Sequence, residues 1–72
     1  MTSTTLIPQE LVRTTVKLTG EDGNAFSILG LTKRALKKAG NSQAVVDAYM
    51  EQATSGDYNH LLAVTMQFAD VA

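Results

Sequence analysis

The sequence predicts a small single α+β domain with about three helices, one N-terminal strand and a short C-terminal strand. An alternating β-branched run near the N-terminus is typical of a strand, and two later blocks repeat apolar residues at spacings of three and four, which is typical of helices. The chain has 72 residues, which allows one domain at most. We assign residues 1–9 to a flexible N-terminal arm and residues 10–72 to the domain.

The arm is polar, rich in threonine and contains the single proline, Pro8. Proline disfavours helix at the residue before it, so we expect Ile7 to be extended or in a turn. The segment lacks the positively charged start and the long apolar run of a secretion signal, and no apolar run in the chain is long enough to cross a bilayer. These features favour a cytoplasmic protein that does not enter a membrane.

The predicted strand covers residues 12–18. Its even-numbered positions carry Val12, Thr14, Val16 and Leu18, while two of its odd-numbered positions carry cations. Alternation of this kind predicts a strand with one buried face.

The first helix is predicted over residues 24–39. Asn24 is well placed to cap its start, basic residues occupy its last turns, and Gly40 follows in the position where a left-handed residue commonly ends a helix. Gly30 inside this helix costs about 1 kcal/mol relative to alanine, so we expect another backbone to pack closely against it.

The second helix is predicted over residues 42–55, capped by Asn41 or Ser42 and ended by Gly56 in a left-handed conformation. The third block opens near residue 58 and fits both a helix and strict alternation. A lone strand would leave its N–H and C=O groups unpaired. We therefore predict a helix over about 58–66 that runs into a short strand within "QFADV", with strand pairing between copies as the other solution.

The predicted core combines the apolar positions of these elements. It contains Val16, Leu18, Phe26, Leu29, Leu36, Val45, Tyr49, Leu61, Leu62 and Phe68.

A chain of this length buries a modest core, and small domains usually add disulfides, a metal or a partner subunit. There is no cysteine, and the lone His60 cannot assemble a His/Cys zinc site. We therefore expect no metal and no cofactor, and we expect a homo-oligomer.

Charge is divided unevenly along the chain. All six basic residues precede residue 39, where they face three acidic residues, and the remainder has four acidic residues and no basic residue. The two parts have net charges of plus three and minus four, a division that can steer a charged partner or bring two copies together. The alternative is two ordinary solvated faces.

Three stretches, "VKLTGEDGNAFSILG", "ALKKAG" and "SGDYNHLL", resemble a group of small uncharacterised proteins of phages and bacteria with the pattern G-x-D-G-N-A-F, A-L-x-x-A-G and G-D-Y-x-x-L-L. The resemblance covers most of residues 16–72. It implies an origin, such as a phage accessory gene, and brings no established activity, cofactor or catalytic residue.

The stretch "TSGDYNHLL" contains the first candidate site, formed by Asp57, Tyr58 and His60. Asp57 or Asn59 can cap the next helix, and Asp57 could also orient His60, but His60 needs a nucleophile within hydrogen-bond reach to support catalysis. The interpretation we favour is the end of one helix and the start of another, with Tyr58 and His60 as recognition candidates. The turn "GEDGN" is also better explained as a turn and cap, since its two acids oppose anion binding and its spacing fits neither a phosphate loop nor an EF-hand.

The remaining candidate is a basic quartet on the first helix, which could contact phosphate. It consists of Lys33, Arg34, Lys37 and Lys38. We predict a non-enzymatic interaction protein that self-associates and docks on a host protein. The alternative is binding of nucleic acid, or of a small anionic ligand such as a nucleotide, through the basic quartet and the turn at residues 56–60, for which two subunits could bring the cations near Tyr58.

Overall fold

The computed structural model describes residues 7–18 and 23–72 and confirms the α+β class. Along the chain, the elements are β1 (Thr15–Val16), α1 (Ala25–Lys38), α2 (Gln43–Ala53), α3 (Tyr58–Phe68) and β2 (Asp70–Val71). The ambiguous C-terminal block is therefore helix as far as residue 68 and then a short strand.

Each helix begins directly after a residue whose side chain caps its first turn. The capping residues are Asn24, Ser42 and Asp57, and a side-chain oxygen of each accepts a hydrogen bond from the backbone N–H three residues later. Such bonds satisfy N–H groups that have no partner inside the helix. Local sequence thus determines where each helix begins, and of the two cap candidates for α2 the chain uses Ser42.

The turn between α1 and α2 depends on Gly40 and Asn41. Gly40 has a φ of 98°, as predicted for a glycine that follows a helix. Asn41 donates from Nδ2 to the carbonyl oxygen of Leu36 at 2.9 Å, and its side chain exchanges two hydrogen bonds of 2.7 and 2.9 Å with the backbone of Val12. This side chain ties the segment before β1 to the end of α1.

The sheet has two parallel strands in the described part of the chain, with Thr15 opposite Asp70. Backbone hydrogen bonds of 2.9–3.0 Å extend the pairing to Thr14, Leu18 and Ala72. The predicted pairing of the N-terminal strand with the C-terminal segment is confirmed. The strand is shorter than the predicted range 12–18, because a ladder extends only as far as both partners do and β2 has two residues.

Arg13 strengthens this junction. Its Nη1 donates to the carbonyl oxygen of Gln67 at 2.7 Å, and its Nη2 lies 2.8 Å from Oδ1 of Asp70. A cation at this position satisfies a carbonyl at the C-terminal end of α3, where the helix dipole is negative.

The core lies between the three helices and is centred on two aromatic rings. Tyr49 and Phe68 meet edge to face with ring centroids 5.4 Å apart, and the Tyr49 hydroxyl lies 2.8 Å from Oγ1 of Thr65. Of the predicted core, seven residues are buried and Leu18 and Leu62 are partly buried. The seven are Val16, Leu29, Leu36, Val45, Tyr49, Leu61 and Phe68.

Phe26 was predicted to be buried, and this prediction is wrong, because 87% of the residue is exposed. The buried stripe of α1 runs through Ile28, Leu29, Thr32 and Leu36. At about 100° per residue, Phe26 points well away from the centre of that stripe. Ile28, by contrast, belongs to the core although the sequence analysis left it out.

Three further expectations fail for local reasons. Val12 is 47% exposed, since its backbone pairs with the side chain of Asn41 and not with a neighbouring strand. Apart from the backbone of its own helix and its two chain neighbours, Gly30 has no described atom within 4 Å of the position where a Cβ would lie, so no other backbone packs closely against it. Gly56 does not have a positive φ, so it is not a left-handed helix end.

Residues 1–6 of the predicted arm lie outside the described residues, as do residues 19–22, which include the first three residues of the "GEDGN" turn. In the described remainder of the arm, the carbonyl oxygen of Pro8 accepts a hydrogen bond from the N–H of Leu11 at 3.1 Å, so Pro8 opens a turn. No helix in residues 7–18 and 23–72 combines the length and the apolar character needed to cross a membrane.

Candidate functional site

The turn between α2 and α3 holds His60 in a small polar cluster. Its Nε2 lies 2.8 Å from the carbonyl oxygen of Gln52 and 3.1 Å from Oγ of Ser55. Ser55 Oγ donates to the same carbonyl oxygen at 2.7 Å. Asp57 caps α3 by accepting the backbone N–H of His60 at 2.9 Å. The structure thus brings together His60 and Ser55, a serine that the sequence analysis did not single out.

The geometry of this cluster favours a structural role for His60. A carbonyl oxygen only accepts hydrogen bonds, so its nearness to Nε2 favours the tautomer in which Nε2 carries the proton. In that tautomer Nε2 donates and cannot take a proton from the Ser55 hydroxyl, as nucleophilic catalysis would require. The carboxylate of Asp57 meets the backbone of His60, which leaves the ring without that orienting partner.

Gly56 is required at this turn by the position of the imidazole. A Cβ at residue 56 would lie 2.7–2.8 Å from atoms of His60, closer than side chains pack. The glycine therefore makes room for the ring, and the ring in turn closes the end of α2 through Gln52. These contacts agree with the favoured interpretation of this stretch, because they close the end of α2 and cap the start of α3.

Tyr58 serves a different surface. Its hydroxyl donates to the carbonyl oxygen of Gly23, just before α1, and 45% of the residue remains exposed. The bond holds the start of α3 beside the start of α1, which lie far apart in the sequence.

An apolar groove of about 270 Å³ opens at this junction, between the start of α1, the end of α2 and the start of α3. Phe26 lines one side of the groove and is otherwise exposed to solvent. The other lining residues include Ala25, Leu29, Ala53, Tyr58 and Leu61. This groove, together with the residues that line it, is called the Phe26 groove below.

The basic quartet is divided between two other grooves. Lys33 and Lys37 line a shallow groove with Gly30, while Lys38 lines another with Lys17. Arg34 borders both grooves. Neither of these grooves includes residues of the turn at 56–60, so within one subunit the basic quartet and the turn line separate surfaces.

Residues 7–18 and 23–72 contain no cluster of three or more His, Asp or Glu side chains that could hold a metal ion. Of the "GEDGN" turn, the described residues are Gly23 and Asn24. Asn24 accepts the N–H of Ser27 on Oδ1 at 2.9 Å and so acts as the predicted cap.

No family model, no curated protein and no solved structure matches this chain. The resemblance to small phage and bacterial proteins therefore stays a prediction.

Proposed function

We propose that this chain is a non-enzymatic interaction protein that self-associates through the Phe26 groove. The observation that carries the proposal is an 87% exposed phenylalanine beside an apolar groove of about 270 Å³. Single exposed apolar residues are ordinary, but an aromatic side chain next to a groove that could receive one is typical of an interaction surface.

The apolar lining of the groove favours an apolar protein side chain as its occupant. Pockets for small molecules usually measure about 300–1,000 Å³ and place several polar groups toward the ligand. The Phe26 groove lies at the lower end of this size range, and its lining is mainly apolar, with polar groups on Thr54, Asp57 and Tyr58. Burying a phenylalanine side chain that was exposed contributes about 1.5–3 kcal/mol, so one such insertion on each side of an interface would support a weak complex.

A second copy of the chain fits this surface because the protruding ring and the groove lie side by side. In a two-fold contact, each surface patch faces the same patch of the other copy. The Phe26 ring of each copy would then enter the groove of the other, and both rings would leave water together. A partner subunit would also compensate for the modest core of a short chain without cysteine.

The test is the oligomeric state of a variant that lacks the ring. We expect the wild-type protein to sediment as a dimer at about 100 µM and to dissociate on dilution, as suits a small interface. Phe26→Ser should sediment as a monomer at every concentration, with an unchanged circular dichroism spectrum.

Met66→Ser provides the matched control, because Met66 is 57% exposed and does not line the groove. This variant should dimerise as the wild type does. A monomeric wild type at about 100 µM, or a Phe26→Ser protein that still dimerises, would show that the groove is not a self-association site.

Docking on a host protein, a cytoplasmic location and a phage or bacterial origin complete the proposal. The origin rests on the resemblance of three sequence stretches, and the docking rests on the uneven charge, plus three before residue 39 and minus four after it.

A further inference from the structure

A second groove, of about 330 Å³, lies between β1 and α1 and is independent of the Phe26 groove. On the strand side it is lined by three consecutive residues, Thr15, Val16 and Lys17. Side chains of a strand point alternately to its two faces. A groove that touches three consecutive strand residues therefore lies along the edge of the strand.

The hydrogen bonds of β1 identify this edge as the unpaired one. The carbonyl oxygens of Thr14 and Val16 and the N–H of Leu18 bond with the C-terminal segment. Because backbone groups of alternate residues point to opposite edges, the N–H and C=O groups of Thr15 and Lys17 face the other way. In the described part of the chain, no strand pairs with that edge.

The helix side of the groove is a stripe of α1 that runs beside the strand. Its residues are Leu31, Arg34, Ala35 and Lys38. At about 1.5 Å per residue, seven steps along the helix span about 10 Å, the length of about three extended residues.

The charge of the groove is of one sign. Lys17, Arg34 and Lys38 line it, no acidic residue among residues 7–18 and 23–72 lines it, and the other lining residues of the helix, Leu31 and Ala35, are apolar. Lysine on an edge strand can also serve simply to deter unwanted strand pairing. Three cations around a groove with apolar walls go beyond that need, because they offer attraction to an acidic chain as well.

We propose that an extended acidic segment of a partner protein binds in this groove by adding a strand to β1. The backbone of Thr15 and Lys17 would supply the main-chain hydrogen bonds of strand addition, a mode in which alternate side chains give specificity. On the face of the added strand toward α1, acidic side chains would meet Arg34 and Lys38 and an apolar side chain between them would pack on Leu31 and Ala35. Acidic side chains on the other face would lie near Lys17. A nucleic acid fits less well, because none of the described residues that line this groove is aromatic and could stack on a base.

The test measures binding of a fluorescent eight-residue peptide of glutamate with two valines at its centre, blocked at both ends, to the full chain by fluorescence polarisation. In an extended conformation this peptide presents glutamates and one valine on each face. Arg34→Glu combined with Lys38→Glu should weaken binding about tenfold or more. Lys33→Glu combined with Lys37→Glu makes the same change of charge on another stripe of the same helix, and it should change the affinity by about twofold or less.

A second peptide separates strand addition from simple charge attraction. Methylation of its alternate backbone nitrogens removes donors for main-chain hydrogen bonds and keeps every charge, so it should abolish binding. Phe26→Ser should bind the first peptide as the wild type does, because the two grooves are separate. A failure of the dimer test would therefore leave the result of the peptide test unchanged.

Four results would overturn the proposal: no binding of the glutamate–valine peptide at about 1 mM, equal weakening by the two charge-reversed pairs, full binding of the methylated peptide, or complete displacement by inorganic phosphate or an oligothymidine. The last result would assign the groove to phosphate. Circular dichroism of each variant shows that a loss of binding is not a loss of fold.

Discussion

Two fully buried threonines, Thr32 and Thr65, place their hydroxyl groups in opposite situations. Thr65 Oγ1 donates to the carbonyl oxygen of Leu61 at 2.9 Å and lies 2.8 Å from the hydroxyl of Tyr49. Since the threonine has one hydroxyl proton, the tyrosine donates to it. Thr32 Oγ1 has no hydrogen-bond partner among the described residues. Burial of an unpaired hydroxyl lowers stability, whereas burial of a paired one does not.

Replacing each threonine with valine should therefore have opposite effects. Thr32→Val should raise the free energy of unfolding by about 1 kcal/mol, because the shape is kept and the unpaired group is removed. Thr65→Val should lower it by about 1–3 kcal/mol, because the buried Tyr49 hydroxyl loses its acceptor. Urea denaturation at one fixed protein concentration measures both. If Thr32→Val is as destabilising as Thr65→Val, the Thr32 hydroxyl is hydrogen-bonded in solution.

At the scale of the elements, the junction of α2 and α3 couples Gly56 to His60. Gly56→Ala would force the imidazole to move and break its contact with the carbonyl oxygen of Gln52. We expect a cost of about 1–2 kcal/mol, the usual range for an overpacked site. His60→Ala alone should cost about 1 kcal/mol or less, because it removes one hydrogen bond at a partly exposed position.

The double variant distinguishes this mechanism from a backbone effect. An alanine at residue 56 would also lie 2.8 Å from the His60 Cβ, which His60→Ala keeps and His60→Gly removes, so the double variant combines Gly56→Ala with His60→Gly. In that background the added methyl group meets none of the His60 atoms, so the two costs should not add and the double variant should resemble His60→Gly. Thermal unfolding of the four proteins provides the measurement. Additive costs would mean that Gly56 is needed for its backbone conformation, as the sequence analysis expected, and not for the space it leaves.

At the scale of the whole molecule, the pairing of β1 with β2 joins the N-terminal part of the described chain to its C-terminal part. Removal of residues 70–72 would delete the pairing of β1 with β2, the backbone hydrogen bonds that extend it to Thr14, Leu18 and Ala72, and the ion-pair partner of Arg13. At about 0.5–1.5 kcal/mol for each hydrogen bond, we expect a loss of about 2–4 kcal/mol. Hydrogen exchange should show that the amide of Leu18 loses protection, while that of Lys17, on the unpaired edge, exchanges quickly in both proteins.

Asp70→Asn is the control for this deletion. It removes the carboxylate charge but keeps the strand, and because the ion pair with Arg13 is largely exposed, the cost should be about 0.5 kcal/mol or less. An unchanged urea midpoint after the deletion would show that the sheet contributes little to the fold.

The sequence by itself determined the helices, because their signals are local. The predicted ranges 24–39, 42–55 and 58–66 compare with observed helices at residues 25–38, 43–53 and 58–68. Capping involves residues three apart, and apolar spacing repeats within one helix, so neither depends on the rest of the molecule. The pairing of the two chain ends was also predictable, since a strand without a partner is costly.

Tertiary structure decided the features that depend on more than one element. Phe26 was misplaced because periodicity shows that α1 has an apolar side, whereas the positions of α2 and α3 determine which residues at its edge are covered. The parallel direction of the strands, their length, and the meeting of Ser55 with His60 likewise arise between segments. Both candidate grooves also arise in this way, because each lies where two or more elements meet. The space between elements cannot be predicted from a local sequence pattern.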